Sequence, residues 1–162
     1  MKILGLTSSQ EEYLKTIYIL ESNKNKVRVT DIANKMSITK PSVNKAVKTL
    51  NELELLNYET YGEITLTDNG KKLAKEIIKR EDIIEMFLEE ILEIDKRQAK
   101  KEAISMKHAI SSDTSKKLEK YISEIFNLDG LECNYDENSE KCQKCIKITA
   151  KNRMKKKENK KC

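Results

Sequence analysis

Apolar positions along this chain recur mostly at helical intervals. Tyr13, Leu14, Ile17, Tyr18 and Leu20 predict a helix over residues 9–21, and Ser8 and Glu11 have the spacing of a capping box at its start. After a polar turn at 23–26, residues 27–36 (VRVTDIANKM) read as a brief extended piece and a short helix capped by Thr30. Ser37 and Ile38 then make a tight turn into residues 39–53, TKPSVNKAVKTLNEL. Thr39 is placed to cap this third helix, and Pro41 falls in its first turn, where a missing N–H is harmless. Val43, Ala46, Val47 and Leu50 form one apolar face, and Ser42, Lys45, Lys48 and Thr49 lie away from it.

The one interruption of the helical period comes next. Tyr58, Thr60, Ile64 and Leu66 have strand propensity, with Gly62 marking a turn, so a short β-hairpin follows the third helix. Thr67 is placed to cap a long helix beginning near Gly70, with Leu73, Ile77, Ile84, Phe87, Leu88 and Ile91 on one stripe. Ala99, Ala103, Met106 and Ile110 predict a helix over 98–110, and Leu118, Tyr121, Ile122, Ile125 and Phe126 another over 113–126. These three helices carry more apolar surface than a small N-terminal domain needs, which points to dimerisation. The expected fold is mainly α: an N-terminal winged helix-turn-helix with a short hairpin wing, then a helical dimerisation domain. The boundaries read as 1–68 and 69–128, with a Cys-rich segment at 129–150 and a basic tail at 151–162.

Composition narrows the function. Only four Gly and one Pro stand among 162 residues, which argues against sandwiches, barrels and Gly-rich phosphate loops. Trp is absent and aromatics are 5%, so a large aromatic-lined pocket is not expected. The net charge of +5 is compatible with nucleic acid. No apolar run approaches the roughly 18 residues that span a bilayer, and the N-terminus lacks the apolar stretch of a signal peptide. A cytoplasmic protein without a membrane partner is therefore expected. No Ser/His/Asp arrangement, Walker loop or HExxH helix is present, so the chain does not read as an enzyme.

Two short helices joined by a tight turn are the helix-turn-helix signature. Short hydroxyls and long lysines on the exposed face of the second suit base edges and phosphates. That makes Ser42, Lys45 and Lys48 candidate contacts to double-stranded DNA. A homodimer would match a palindromic operator. In the polar segment, Cys133-x8-Cys142-x2-Cys145 brings three thiols into a stretch with little apolar material of its own. Bound metal would supply its folding energy. The spacing fits neither a common zinc finger nor a ferredoxin run. An iron–sulfur cluster and Zn2+ are both candidate occupants. Cys162, Asp136, His108 or a second protomer could complete the ligand set. The tail at 151–162 holds seven Lys or Arg against one Glu and could add salt-dependent phosphate contacts.

With its elements in this order, the chain resembles the iron- and manganese-dependent repressors related to the diphtheria toxin repressor, including the manganese transport regulators. The resemblance rests on EEYLKTIYIL, VTDIANKM, ITKPSVNKAVKTL, ITLTDNGKKLA and MKHAISSD, and covers residues 6–126. It implies a homodimer, a winged helix-turn-helix on palindromic DNA, and a switch worked by Fe2+ or Mn2+. The resemblance places the family's DNA contacts on Thr39, Pro41, Ser42 and Lys45, with Thr30 at the start of the preceding helix, and its metal ligands on Glu12, Glu81, Glu85 and His108. Two further ligand positions hold Ile104 and Lys107, neither of which serves a divalent cation, so this site is incomplete. A replacement sensor at the cysteines makes an iron–sulfur cluster the favoured occupant there, with Zn2+ the alternative. The reading is a DNA-binding transcriptional repressor that responds to iron, cluster or redox state through its C-terminal cysteines. Two alternatives stand beside it. One is the same regulator with a structural zinc knuckle and a divalent Fe2+ or Mn2+ sensing site. The other is a winged-helix module that binds a protein partner.

Overall fold

A computed structural model describes residues 5–23, 26–58 and 62–126, and the backbone of 135–136 and 141–142. The chain divides into two compact units, Lys2–Ile77 and Ile78–Cys162.

The N-terminal unit contains α1 (Ser8–Asn23), α2 (Val29–Met36), α3 (Lys40–Glu52), β1 (Leu56–Tyr58), β2 (Ile64–Leu66) and the first part of α4 (Asp68–Met86). Helix α1 starts at Ser8, the residue predicted to cap it, so the cap lies one residue earlier. Thr7 and Gln10 form the reciprocal box, with Gln10 N–H donating to Thr7 Oγ1 at 3.2 Å and Thr7 N–H to Gln10 Oε1 at 2.7 Å. Ser8 and Glu11 do not, because Ser8 is already helical and Glu11 is buried. Thr30 is likewise not the cap of α2. Arg28 holds that position, and its N–H donates to Asp31 Oδ2 at 2.9 Å, leaving Thr30 exposed inside the first turn. Ser37 ends α2 in the left-handed region at φ 56°, and Ile38 N–H returns to the Ala33 carbonyl at 3.0 Å. The chain thereby turns into α3 within three residues, as a helix-turn-helix requires.

Strands β1 and β2 pair antiparallel, with Leu56 opposite Leu66 and Tyr58 opposite Ile64. Val27 bridges Ile64 from the other side. Thr60, expected in the hairpin, lies outside the described residues. The core joins Leu14 and Ile17 of α1, Ile32 of α2, Val43, Val47 and Leu50 of α3, Ile64 of β2, and Leu73 and Ile77 of α4. Thr67 caps α4, its hydroxyl accepting from Gly70 N–H at 3.1 Å. The helix itself begins at Asp68 rather than near Gly70. Gly70 has a different task. A Cβ there would lie 1.9 Å from the Leu55 carbonyl oxygen, so only glycine lets this backbone approach.

The C-terminal unit takes the second part of α4, a π-helical turn at Phe87–Ile91, α5 (Lys96–Ala109) and α6 (Ser112–Phe126). Helix α5 starts two residues earlier than its apolar spacing predicts, because Asp95 caps it, accepting from Arg97 N–H at 3.0 Å. Two apolar clusters form here, one of Ile83, Met86 and Ile122, the other of Ile84, Leu88, Ala99 and Ala103. Leu92, Tyr121 and Ile125 remain exposed. Further along, β3 (Tyr135–Asp136) pairs antiparallel with β4 (Lys141–Cys142), placing Tyr135 opposite Cys142 along the backbone. Cys133, Cys145 and Cys162 lie outside the described residues. Among the described residues, no helix is long and apolar enough to cross a membrane.

Candidate functional site

Helix α3 is two-sided because its sequence is. Val43, Val47 and Leu50 are completely buried, which fixes the rotation of the helix about its axis. The opposite side then follows without choice. Thr39, Lys40, Pro41, Ser42, Lys45 and Lys48 are all exposed, as is Thr30 on α2. Thr39 stands at the cap position of α3, yet its hydroxyl makes no cap bond to the backbone and instead meets Ser42 Oγ at 2.9 Å. The two hydroxyls form one small polar patch at the helix N-terminus. Thr49 faces another way, donating to the Lys45 carbonyl at 3.1 Å.

The hairpin is fastened to this helix by two asparagines that apolar periodicity passes over. Asn51 Oδ1 accepts from Tyr58 N–H at 3.0 Å, and the Tyr58 hydroxyl donates to Asn44 Oδ1 at 3.3 Å. On the other edge, Lys26 pairs with Glu63 at 2.5 Å. The sequence carries no spacing signal for Asn44 or Asn51, whose partner Tyr58 reaches them only once the hairpin folds back.

The second constellation is a cluster of buried charge in the C-terminal unit. Arg80, Glu81, Asp82 and Glu85 on α4 and Lys107 on α5 are all buried, Lys107 to 1% exposure. Lys107 Nζ donates to Glu81 Oε2 at 2.5 Å, and Arg80 Nη1 donates to the Lys107 carbonyl at 3.5 Å. Of the expected divalent-metal ligands, Glu81 and Glu85 lie in this cluster, and His108 is half-buried on α5. Glu12 belongs to α1 of the N-terminal unit, where it pairs with Lys15 at 2.8 Å. Among the described residues, no three His, Cys, Asp or Glu side chains are grouped to hold a metal ion. Glu81 presents a carboxylate already engaged by an ammonium, and that ammonium repels a second cation. The donor set in this unit does not fit a divalent metal. Arg80 and Asp82 were detectable in the sequence as a charged run between Ile77–Ile78 and Ile83–Ile84.

Residues 5–64 match the family described as iron dependent repressor, N-terminal DNA binding domain. Residues 67–126 match iron dependent repressor, metal binding and dimerisation domain. An uncharacterized HTH-type transcriptional regulator of Methanocaldococcus jannaschii is 32% identical over 121 residues, covering 74% of this chain and 97% of that protein. The HTH-type transcriptional regulator MntR of Bacillus subtilis is 35% identical over 105 residues, 65% of this chain and 73% of that protein. Among solved structures, the manganese regulator SloR is 30% identical with a TM-score of 0.63, covering 73% of this chain and 55% of that one. A hypothetical protein from Sulfolobus solfataricus is 26% identical with a TM-score of 0.61, covering 74% and 91%. The chain thus spans about half the length of SloR and of the similarly matched ScaR.

Proposed function

Because the chain belongs to the iron dependent repressor family of metal-dependent DNA-binding transcriptional regulators, we propose that it is a homodimeric, sequence-specific repressor acting on palindromic DNA in the cytoplasm. It is a regulator and not an enzyme. The observation that carries this reading is the two-sided α3, with a fully buried apolar face and an exposed edge of Thr39, Pro41, Ser42, Lys45 and Lys48. In this reading Lys45 and Lys48 hold phosphates, the Thr39–Ser42 patch meets base edges, and Thr30 steadies the approach from α2. Residues 1–68 bind DNA and 69–128 dimerise. The exposed Tyr121 and Ile125 on α6, and the exposed Leu92 after the π-helical turn, supply apolar surface for the second copy.

Selection from random duplex DNA tests the reading, followed by titration of the selected site at several salt concentrations. Lys45→Ala is expected to lower the slope of log K against log salt by about 0.9, one phosphate contact. An unchanged slope and affinity would remove Lys45 from the interface. Failure to enrich any sequence, with a protein co-purifying instead, would favour a protein-interaction module.

The metal response, in this proposal, runs through Cys133, Cys142 and Cys145 of the 129–150 segment, with Cys162 of the tail as a fourth ligand. The clustering of three thiols in a polar stretch supports it, as does the backbone pairing of β3 with β4 between Cys133 and Cys145 in sequence. An iron–sulfur cluster would report iron or redox state, and Zn2+ would make the segment a structural knuckle. Anaerobic purification with elemental analysis separates them. Brown protein holding iron and sulfide, bleached by Cys142→Ser, is the expected result, and colourless protein with one zinc per chain the contrary one. The names of several relatives point instead to manganese. A site for it at Glu12, Glu81, Glu85 and His108 is opposed by the engagement of Glu81 with Lys107.

A further inference from the structure

The charge cluster of the C-terminal unit contains something its sequence does not announce, a fully buried ammonium. Burying a lysine is unfavourable unless the charge is matched. Here it is matched, and the match joins two helices. Lys107 of α5 sends its Nζ to Glu81 of α4, and the neighbouring Arg80 of α4 sends its guanidinium back to the Lys107 carbonyl. Two consecutive residues of one helix thus hold a single residue of the other. Asp82 and Glu85 are buried on the same helix. The cluster therefore sets two built-in cations, Arg80 and Lys107, against three carboxylates.

We propose that the Lys107 ammonium is a tethered cation standing where the family relies on a divalent ion, so that α4 and α5 are held together without metal at this place. A dissociable ion reports its own concentration, because binding is lost as the free ion is removed. A cation on a side chain cannot leave, so this cluster is structural and senses no divalent metal. The response to metal in this chain is then carried elsewhere. The inference goes beyond the assignment of DNA binding and does not depend on it.

The test uses Mn2+ alone, a hard cation that thiolates do not favour, with the full chain and no DNA. Free Mn2+ is followed by electron paramagnetic resonance, and melting is compared in EDTA and in excess Mn2+. The wild type is expected to leave the free Mn2+ signal unchanged and to melt at one temperature in both. Lys107→Glu exchanges the tethered cation for a ligand beside Glu81. It is expected to take up Mn2+ and to gain roughly 5 °C or more at saturation. Stoichiometric Mn2+ uptake by the wild type, lost in Glu81→Gln, would overturn the proposal. So would a folded Lys107→Glu that ignores Mn2+. Should Lys107→Glu fold poorly, the wild-type titration decides the matter unaided. Loss of DNA binding in any of these proteins would bear on the proposed function and leave the Mn2+ result standing.

Discussion

The two units solve the same problem, holding helices together, with different materials. The N-terminal unit has one continuous apolar core from Leu6 to Ile77, and the charged side chains of α3 stand on its surface. The C-terminal unit has two small apolar clusters and places five charged residues inside, Lys107 completely so. Apolar packing accepts volume-conserving exchanges and carries no charge for pH to alter. A buried ion pair differs on both counts, because each partner requires the other. The N-terminal unit keeps its interior almost wholly apolar, with Glu11 its single buried charge among the described residues. The unit that the family uses for metal retains charge inside, with an amine among the carboxylates.

The sharpest way to break this contrast is at the ion pair. Lys107→Met leaves Glu81 buried without its cation and is expected to cost about 3–5 kcal/mol in urea unfolding, whereas Lys107→Met with Glu81→Leu should recover most of that loss. If the double variant stays as unstable as the single, the pair matters for something other than mutual charge. In the N-terminal unit, Leu50→Ala is expected to cost about 2–5 kcal/mol by cavity formation, with no compensating partner to be found. Gly70→Ala should cost about 1–3 kcal/mol, because the Leu55 carbonyl must move away from the new methyl group. Smallest is Lys117→Ala on exposed α6. The hydrogen bond and the charge of Asp113 raise the Lys117 pKa above its usual 10.5, but the pair is fully solvated. Whatever stability it adds is present at neutral pH and lost only as pH rises above that value. The melting temperature at pH 7 should not move measurably.

The N-terminal unit was the more legible. Apolar spacing placed all three of its leading helices and the buried face of α3, since Val43, Val47 and Leu50 have no other way to leave water. The caps of α1 and α2 were misplaced by one and two residues. Hydroxyl and carboxylate residues crowd those turns, and only backbone dihedrals choose among Thr7, Ser8, Arg28 and Thr30. Resemblance flagged Lys107 as foreign to a metal site, but its burial could not be read. A lysine in a charged helix ordinarily faces solvent, and the partner that draws it inward is 26 residues away in sequence. The exposure of Ser42, Lys45 and Lys48 follows from the orientation of α3 and so was accessible. Asn44 and Asn51 were not, because their importance depends on where the hairpin folds back.

Gly70 has a mechanical meaning. The end of α3 passes to Leu55, whose N–H donates to the Leu50 carbonyl at 3.0 Å, and the Leu55 carbonyl accepts from Thr67 N–H at 3.1 Å. The Thr67 hydroxyl donates to the Glu54 carbonyl at 2.9 Å, and the bare backbone of Gly70 presses against Leu55. These contacts tie the root of α4 directly to the tail of α3. The two helix ends are geared, and neither the tail of α3 nor the root of α4 can shift without moving the other.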